Sequence, residues 1–476
     1  YFGVAVLLVT MPGLPMLGHG QVEGFTEKYG MEYRRAYKEE QPDQGFIERH
    51  EREVFPLMRK RYLFSNARNF ALFDFVTPDG GVDENVFAYS NRAGSEHALV
   101  LYNNAYSQTC GVLHTSTAIN VGRGDEKMLV RRTLGESMGL DTDPRAYLVW
   151  RDERTKLEYL HHCETLAQMG LHLELNAYEY KTFVFVRKLY DTDGSWGRLH
   201  GMLGGAGVPS VQEAYLEMHL AAVLGPFREF MTPEMFREIL AFEPEAESPL
   251  GTWREPFAAF LEAMGAYLGC EVDVENIVCR VEADLAVLQA LIQGQVAASL
   301  PGPLAEYLEK NLPDAETPEA WTAFWRVPVA CCIMRGVGLA ALELSTGAEE
   351  MSVESRDDVL SPACETEPPE ATPEAEQRGA RLMQEWLLGK HIGNAFAAMD
   401  GNVWQARQDA RLVEACLAHR AQLPELETEV WGPVVYALFE NPLMDSILLA
   451  NWHENRKWMN KEQLERVLLT LFLANT

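Results

Sequence analysis

The sequence predicts an α+β multidomain chain: an N-terminal helix–strand–helix piece, an antiparallel β domain, then a large all-α region. Three changes of apolar rhythm carry that prediction. Before residue 65 a short, almost wholly apolar run sits between helical patterns. From about Asn69 apolar and polar residues alternate, and past about Trp196 helical spacing returns. With 476 residues the chain can bury several cores, and 47% hydrophobic with 23% charged residues is ordinary for globular domains.

Residues 1–11 read as a buried helix end and 13–18 as a short buried strand, with Pro12 and Gly13 as the break. Residues 46–64 form an amphipathic helix, with Ile47, Val54, Leu57, Met58 and Tyr62 at roughly helical intervals. An apolar strand between helices belongs to a parallel sheet covered on both faces, so residues 1–65 read as the last unit of something larger. The β domain, residues 66–195, offers strands at 70–75, 85–91, 98–103, 112–119, 171–175 and 178–187. A hairpin joins 146–151 to 157–161, and a helical insertion falls near 126–139. An antiparallel sandwich is the economical arrangement.

Helical candidates follow at 211–224, 233–242, 274–300, 318–343 and 461–473, in domains spanning 196–346 and 379–476. Thr232-Pro233 and Thr317-Pro318 pair a hydroxyl cap with proline at the first helical position, and Asn460 caps the last helix. Between the two domains, 347–378 reads as a disordered acidic linker. Residues 349–376 hold ten acidic residues, four prolines and one basic residue, Arg356.

A formal charge of −29 argues against a nucleic-acid partner, because a phosphate backbone would be repelled. The eight cysteines show no metal-ligand spacing. Cys331 and Cys332 read as buried thiols, and the whole set as reduced and cytoplasmic. His161, His162 and Cys163 lack the second pair that a tetrahedral metal site needs, so neither metal nor cofactor is expected. The uncharged run 2–18 is 17 residues long and broken by Pro12 and Pro15, which argues against a membrane helix.

At residues 13–21 (GLPMLGHGQ) a G-x-P-x-x-x-x-G pattern resembles the eighth-strand region of the alpha-amylase family of glycoside hydrolases. Residues 22–37 and 48–65 resemble the last loop and last helix of that family's barrel. Segments 69–75 (NFALFDF), 85–92, 98–104 and 175–186 resemble the β-domain that follows it. The resemblance covers about 200 residues. It implies an incomplete (β/α)8-barrel tail, then a β-sandwich, and an intact enzyme acting on α-1,4-glucans or maltooligosaccharides by a retaining mechanism. The pattern departs from the family where Gly18 and His19 replace tyrosines and Val22 stands in the place of a glutamate, with Glu23 one later.

On a barrel of this kind the chemistry sits in the loops after the strands. His19, Gln21 and Glu23 are therefore the candidate substrate-binding residues. The family's catalytic carboxylates come from strands four, five and seven, so no residue here inherits a catalytic role. The rival reading is a non-catalytic glycan- or protein-binding protein. Four other features receive structural readings. Phe25, Tyr29, Tyr33 and Tyr37 read as packing, and His50 as an exposed helix residue among charges. Residues 201–207 (GMLGGAG) lack a P-loop lysine. Trp386, Trp404, Trp431, Trp452 and Trp458 read as helical core in place of a carbohydrate groove.

Overall fold

A computed structural model describes residues 1–27, 37–122, 126–240, 252–293, 306, 310, 312–313, 318–350, 372–419, 436, 438–454 and 456–475. The chain divides into two compact units, Tyr1–Tyr215 and Leu216–Thr476.

In the first unit α1 (Phe2–Thr10) precedes an extended stretch and a turn. The amphipathic 46–64 pattern becomes three consecutive helices, α2 (Gln44–Glu53), α3 (Phe55–Arg59) and α4 (Arg61–Phe64). Pro56 explains the first break: it has no N–H to continue α2 but fits the first turn of a new helix. Asp43 caps α2 by accepting from Phe46 N at 3.0 Å.

The alternating region folds as β1 (Ala71–Val76), β2 (Val86–Ala93), β3 (Glu96–Asn103) and β4 (Thr109–Ser116). The short ladder of β5 (Ile119–Asn120) and β6 (Leu129–Val130) comes next. After it come β7 (Ala146–Asp152), β8 (Glu158–His162), β9 (Leu171–Leu175) and β10 (Tyr180–Tyr190). Eight of these pair in one antiparallel sheet of order β8-β7-β10-β3-β2-β1-β4-β9. Bulges between Phe73 and Phe75 and between Phe185 and Arg187 bend it. The expected insertion at 126–139 shrinks to α5 (Leu134–Met138), closed by a Thr133–Glu136 capping box. A further helix, α6 (Cys163–Met169), follows β8.

Both faces of the central strands are covered. Ala98, Val100 and Tyr102 of β3 pack with α1–α4, while Leu99 and Leu101 pack with α5 and α6 on the opposite face. That is why 98–102 reads as an unbroken apolar run where a one-sided strand would alternate. Polar ties reinforce the helical layer. Glu53 of α2 accepts from Tyr180 of β10 and pairs with Arg49 and Arg52, and Thr10 meets the Tyr89 hydroxyl at 2.6 Å. Arg61 closes the end of α1, donating to Val9 O at 2.9 Å, Met11 O at 2.8 Å and Gly13 O.

Two expectations fail here. Residues 13–18 are neither strand nor buried: Leu14 is 85% and Met16 76% exposed, because no neighbouring strand among the described residues pairs with them. His50 is fully buried, its ring within 5.5 Å of those of Tyr1, Phe2 and Phe46. Its charged neighbours do not keep it in solvent: Arg49 lies 3.9 Å over the Phe2 ring and Glu53 is itself buried against Tyr180.

The second unit is helical. Its core is one long helix, Pro318–Glu350, packed by Val274–Ile292, Pro373–Glu385 and Val403–His419. Residues 320–344 are long and apolar enough to cross a bilayer by composition, and most of that length is buried inside the unit. Cys331 and Cys332 are buried there, as expected. The core helix meets the Pro373–Glu385 helix backbone to backbone. A Cβ on Gly338 would lie 1.9 Å from Ala375 O, and one on Gly379 2.5 Å from Met334 O.

Two arginines of the core helix are buried with acidic partners. Arg326 pairs with Asp409 at 2.6 Å and Asp400 at 2.8 Å, and Arg335 with Glu376 at 2.6 Å and Asp284 at 2.9 Å. Glu376 therefore does not belong to a linker. The helix containing it starts at Pro373 under a Thr372 cap, while 351–371 lies outside the described residues. The Thr232 and Asn460 caps form as expected, at 3.2 and 3.0 Å, and Thr317 lies outside the described residues. Of the tryptophans, Trp386 is core, whereas Trp404, Trp452 and Trp458 are more than half exposed. The last two stand on a short hairpin, Asn451–His453 with Arg456–Trp458, which helical periodicity does not reveal. Trp431 lies outside the described residues.

Candidate functional site

His19, Gln21 and Glu23 occupy one continuous turn, residues 19–24, immediately after the exposed apolar stretch. The turn folds because Gly20 takes a φ of 70°, where a side chain would also sit 2.6 Å from Phe25 Cβ. Phe25 N donates to Gly20 O at 2.8 Å and Gln21 N to Gly18 O at 3.2 Å. The Gln21 side chain turns inward, its Oε1 accepting from Gly18 N at 3.0 Å. His19 is exposed and its ring lies 6.0 Å from that of Phe25. Glu23 is half-buried, and its carbonyl pairs with Asp43 N at 2.9 Å, tying the turn to the start of α2.

Supports that the sequence did not announce hold this loop from two sides. The Tyr1 hydroxyl lies 3.1 Å from both Gln21 O and His50 Nε2, and His50 Nδ1 faces Phe46 O at 2.9 Å. The buried histidine thus orients a tyrosine that orients the loop backbone. On the other side, the Glu40 carboxylate accepts from Thr26 N, the Thr26 hydroxyl and Glu27 N. Those hydrogen bonds, the Thr26 hydroxyl first, bring its pKa down to about 2. Glu27 in turn accepts from Tyr37 N and Lys38 N. No spacing rule links residues 1, 40 and 50 to residue 21, so only the folded chain reveals this brace.

Chemically the loop is a hydrogen-bonding surface. The Gln21 amide N–H groups can donate and the Glu23 carboxylate can accept, and the two side chains bring only one carboxylate between them. Retaining glycoside hydrolysis needs two carboxyl groups about 5 Å apart. Among the described residues no three His, Cys, Asp or Glu side chains gather to hold a metal ion.

The remaining motifs have structural work. His162 caps α6, meeting the Thr165 hydroxyl at 2.8 Å and Pro144 O at 2.8 Å. His161 packs against Trp150, ring centroids 5.0 Å apart. Residues 201–203 finish the helix Ser195–Leu203, and Gly204 and Gly205 carry the chain out of it with positive φ. Of the aromatic stripe, Tyr29 and Tyr33 lie outside the described residues, Phe25 packs under Gly20, and Tyr37 is 74% exposed. Compared with known proteins, the chain matches no protein-family model and no curated protein.

Proposed function

We propose that this chain is the C-terminal part of an alpha-amylase-type glycoside hydrolase acting on α-1,4-glucans or maltooligosaccharides by a retaining mechanism. In this reading residues 1–65 are the end of a (β/α)8 barrel, with 13–18 pairing as a strand only beside the rest of that barrel, and the single eight-stranded sheet stands where the expected β-sandwich would follow it. The carboxylates come from strands outside this sequence, and His19, Gln21 and Glu23 hydrogen-bond sugar hydroxyls.

One observation carries the reading: apolar surface with nothing packed on it among the described residues. Helix α1 is apolar all round. Phe2, Ala5, Val6 and Val9 are buried with the sheet, while Val4 on another face is 56% exposed and Met11, just past the helix end, 40%. A helix apolar on every side is built for burial on every side. Leu14 and Met16 continue this surface in extended chain, and no backbone hydrogen bond reaches residues 14–17 among the described residues. Exposed apolar side chains on unpaired extended backbone suit a strand whose sheet lies elsewhere.

The seven described cysteines are unbridged. Burial pushes the Cys163 thiol up to about 11 and that of Cys332 to about 12, which keeps both protonated and fits a cytoplasmic protein. The test is to express the whole reading frame that contains this sequence and follow maltoheptaose by NMR. Initial release of α-anomeric product by the longer protein, with none by residues 1–476, supports the reading. Hydrolysis by residues 1–476 alone, or none by any longer product, contradicts it.

A further inference from the structure

Within the first unit a polar groove of about 920 Å³ opens beside the end of β2 and the β5–β6 ladder. Four arginines line it: Arg68, Arg92, Arg131 and Arg132. Arg131 and Arg132 are neighbours in sequence, and the fold brings Arg68 and Arg92 from distant positions to the same groove. This is unexpected in a chain with 41 basic against 70 acidic residues, where Arg145, Arg151, Arg154, Arg326 and Arg335 all hold carboxylates. Among the described residues none of the four guanidinium groups has an ion pair or hydrogen bond. Glu136, the acid on the wall, turns its carboxylate to Thr133 N at 2.8 Å.

One of these cations is also packed closely against backbone outside the groove lining. Gly139 takes a φ of 66°, and a Cβ there would lie 1.9 Å from Arg92 Nη1, so the guanidinium rests where only glycine leaves room. Arg92 and Arg132 are half-buried, and Arg68 and Arg131 stand exposed at the rim. Four guanidinium groups against the one Glu136 carboxylate leave the groove net positive, and an anion relieves the repulsion among them. The planar guanidinium fork matches tetrahedral oxyanions, which accept two parallel hydrogen bonds from each. The volume exceeds what one inorganic ion fills and falls in the range of pockets that hold small organic molecules.

We propose that this groove is a binding site for a phosphate group, free or carried on a sugar-sized polar body, with Arg92 and Arg132 as the inner ligands. The site is argued from charge and geometry in the β domain and does not rest on the glycoside hydrolase reading.

Calorimetric titration of the full chain with glucose 6-phosphate, inorganic phosphate and glucose tests it. Glucose 6-phosphate binds, glucose does not, and Arg92→Gln with Arg132→Gln weakens binding roughly tenfold or more, as loss of a charge-assisted contact requires. Raising the salt concentration weakens it further. Arg68→Gln with Arg131→Gln, both at exposed positions, provides a variant that leaves the fold intact and still weakens binding several-fold. Phosphate binding as tightly as the sugar phosphate, with the same sensitivity to the variants, assigns the site to the free ion. No binding of either phosphate, or binding untouched by both double variants, overturns the proposal.

Discussion

Replacing Arg326 with methionine probes the polar centre of the helical unit. Arg326 and Asp409 are both completely buried, 2.6 Å apart, and the guanidinium also reaches Asp400 at 2.8 Å and Phe396 O at 3.2 Å. It lies over the Phe396 ring, 4.8 Å from the centroid. Breaking a buried pair costs about 3–5 kcal/mol, against about 0–1 kcal/mol for an exposed one, because the partner keeps its charge without its counter-charge. The two halves of this pair differ. Without Arg326, Asp409 retains Arg466 at 2.8 Å and Gln405 at 2.8 Å, which places Arg326→Met near the lower end, about 3 kcal/mol. Without Asp409 the buried guanidinium keeps one carboxylate, which places Asp409→Leu near the upper end, about 5 kcal/mol. The double variant leaves neither charge stranded and is more stable than the sum of the singles requires. Urea unfolding followed by helical circular dichroism reads all three. Additive losses, or singles costing under about 1 kcal/mol, would mean that the pair behaves as a solvated surface ion pair.

Other expectations follow from single contacts. His97 Nε2 accepts from Trp150 Nε1 at 2.9 Å, and burial, with Arg92 adding to it, lowers its pKa from 6.5 to about 4. The folded protein therefore resists protonating it. Stability from this group is present above pH 6.5 and is lost as pH falls toward 4, by about 3 kcal/mol in full. His97→Gln flattens that part of the stability–pH curve, and an unchanged slope between pH 6.5 and 4 would count against the assignment. Gly338→Ala forces a methyl against Ala375 O and costs the helical unit about 1–3 kcal/mol, read as a lower urea midpoint, whereas a neutral result removes the close approach. Glu40→Ala releases the amides of Thr26 and Glu27, which then exchange hydrogen faster; unchanged exchange means that the loop is held otherwise.

Much of the β domain was legible because its signals are local. All eight strands of the sheet fall within a few residues of their expected places, and the 152–156 hairpin pairs as read. Residues 98–102 show why apolar runs and alternation report burial on two faces or one. Failures came where a residue's setting depends on distant partners. His50 sits among charges in sequence and among Tyr1, Phe2 and Phe46 in space. Trp452 and Trp458 lie on a hairpin too short for periodicity to signal, and the Thr372 cap hid within an acidic stretch. His19, Gln21 and Glu23 do share one turn, but its braces at Tyr1, Glu40 and His50 follow no sequence rule. The groove of Arg68, Arg92, Arg131 and Arg132 left no mark in a chain whose net charge is −29.

The coding sequence upstream of the Tyr1 codon, translated in frame, decides between a barrel enzyme and another protein. If the proposed function holds, the frame continues through strand–helix units of an alpha-amylase-type barrel. Carboxylates should stand at the ends of strands four, five and seven, with an Asn-His-Asp-like strand end roughly one helix before Tyr1. A stop codon or an initiation signal immediately upstream would contradict it, leaving Val4, Met11, Leu14 and Met16 as a surface that some other partner covers.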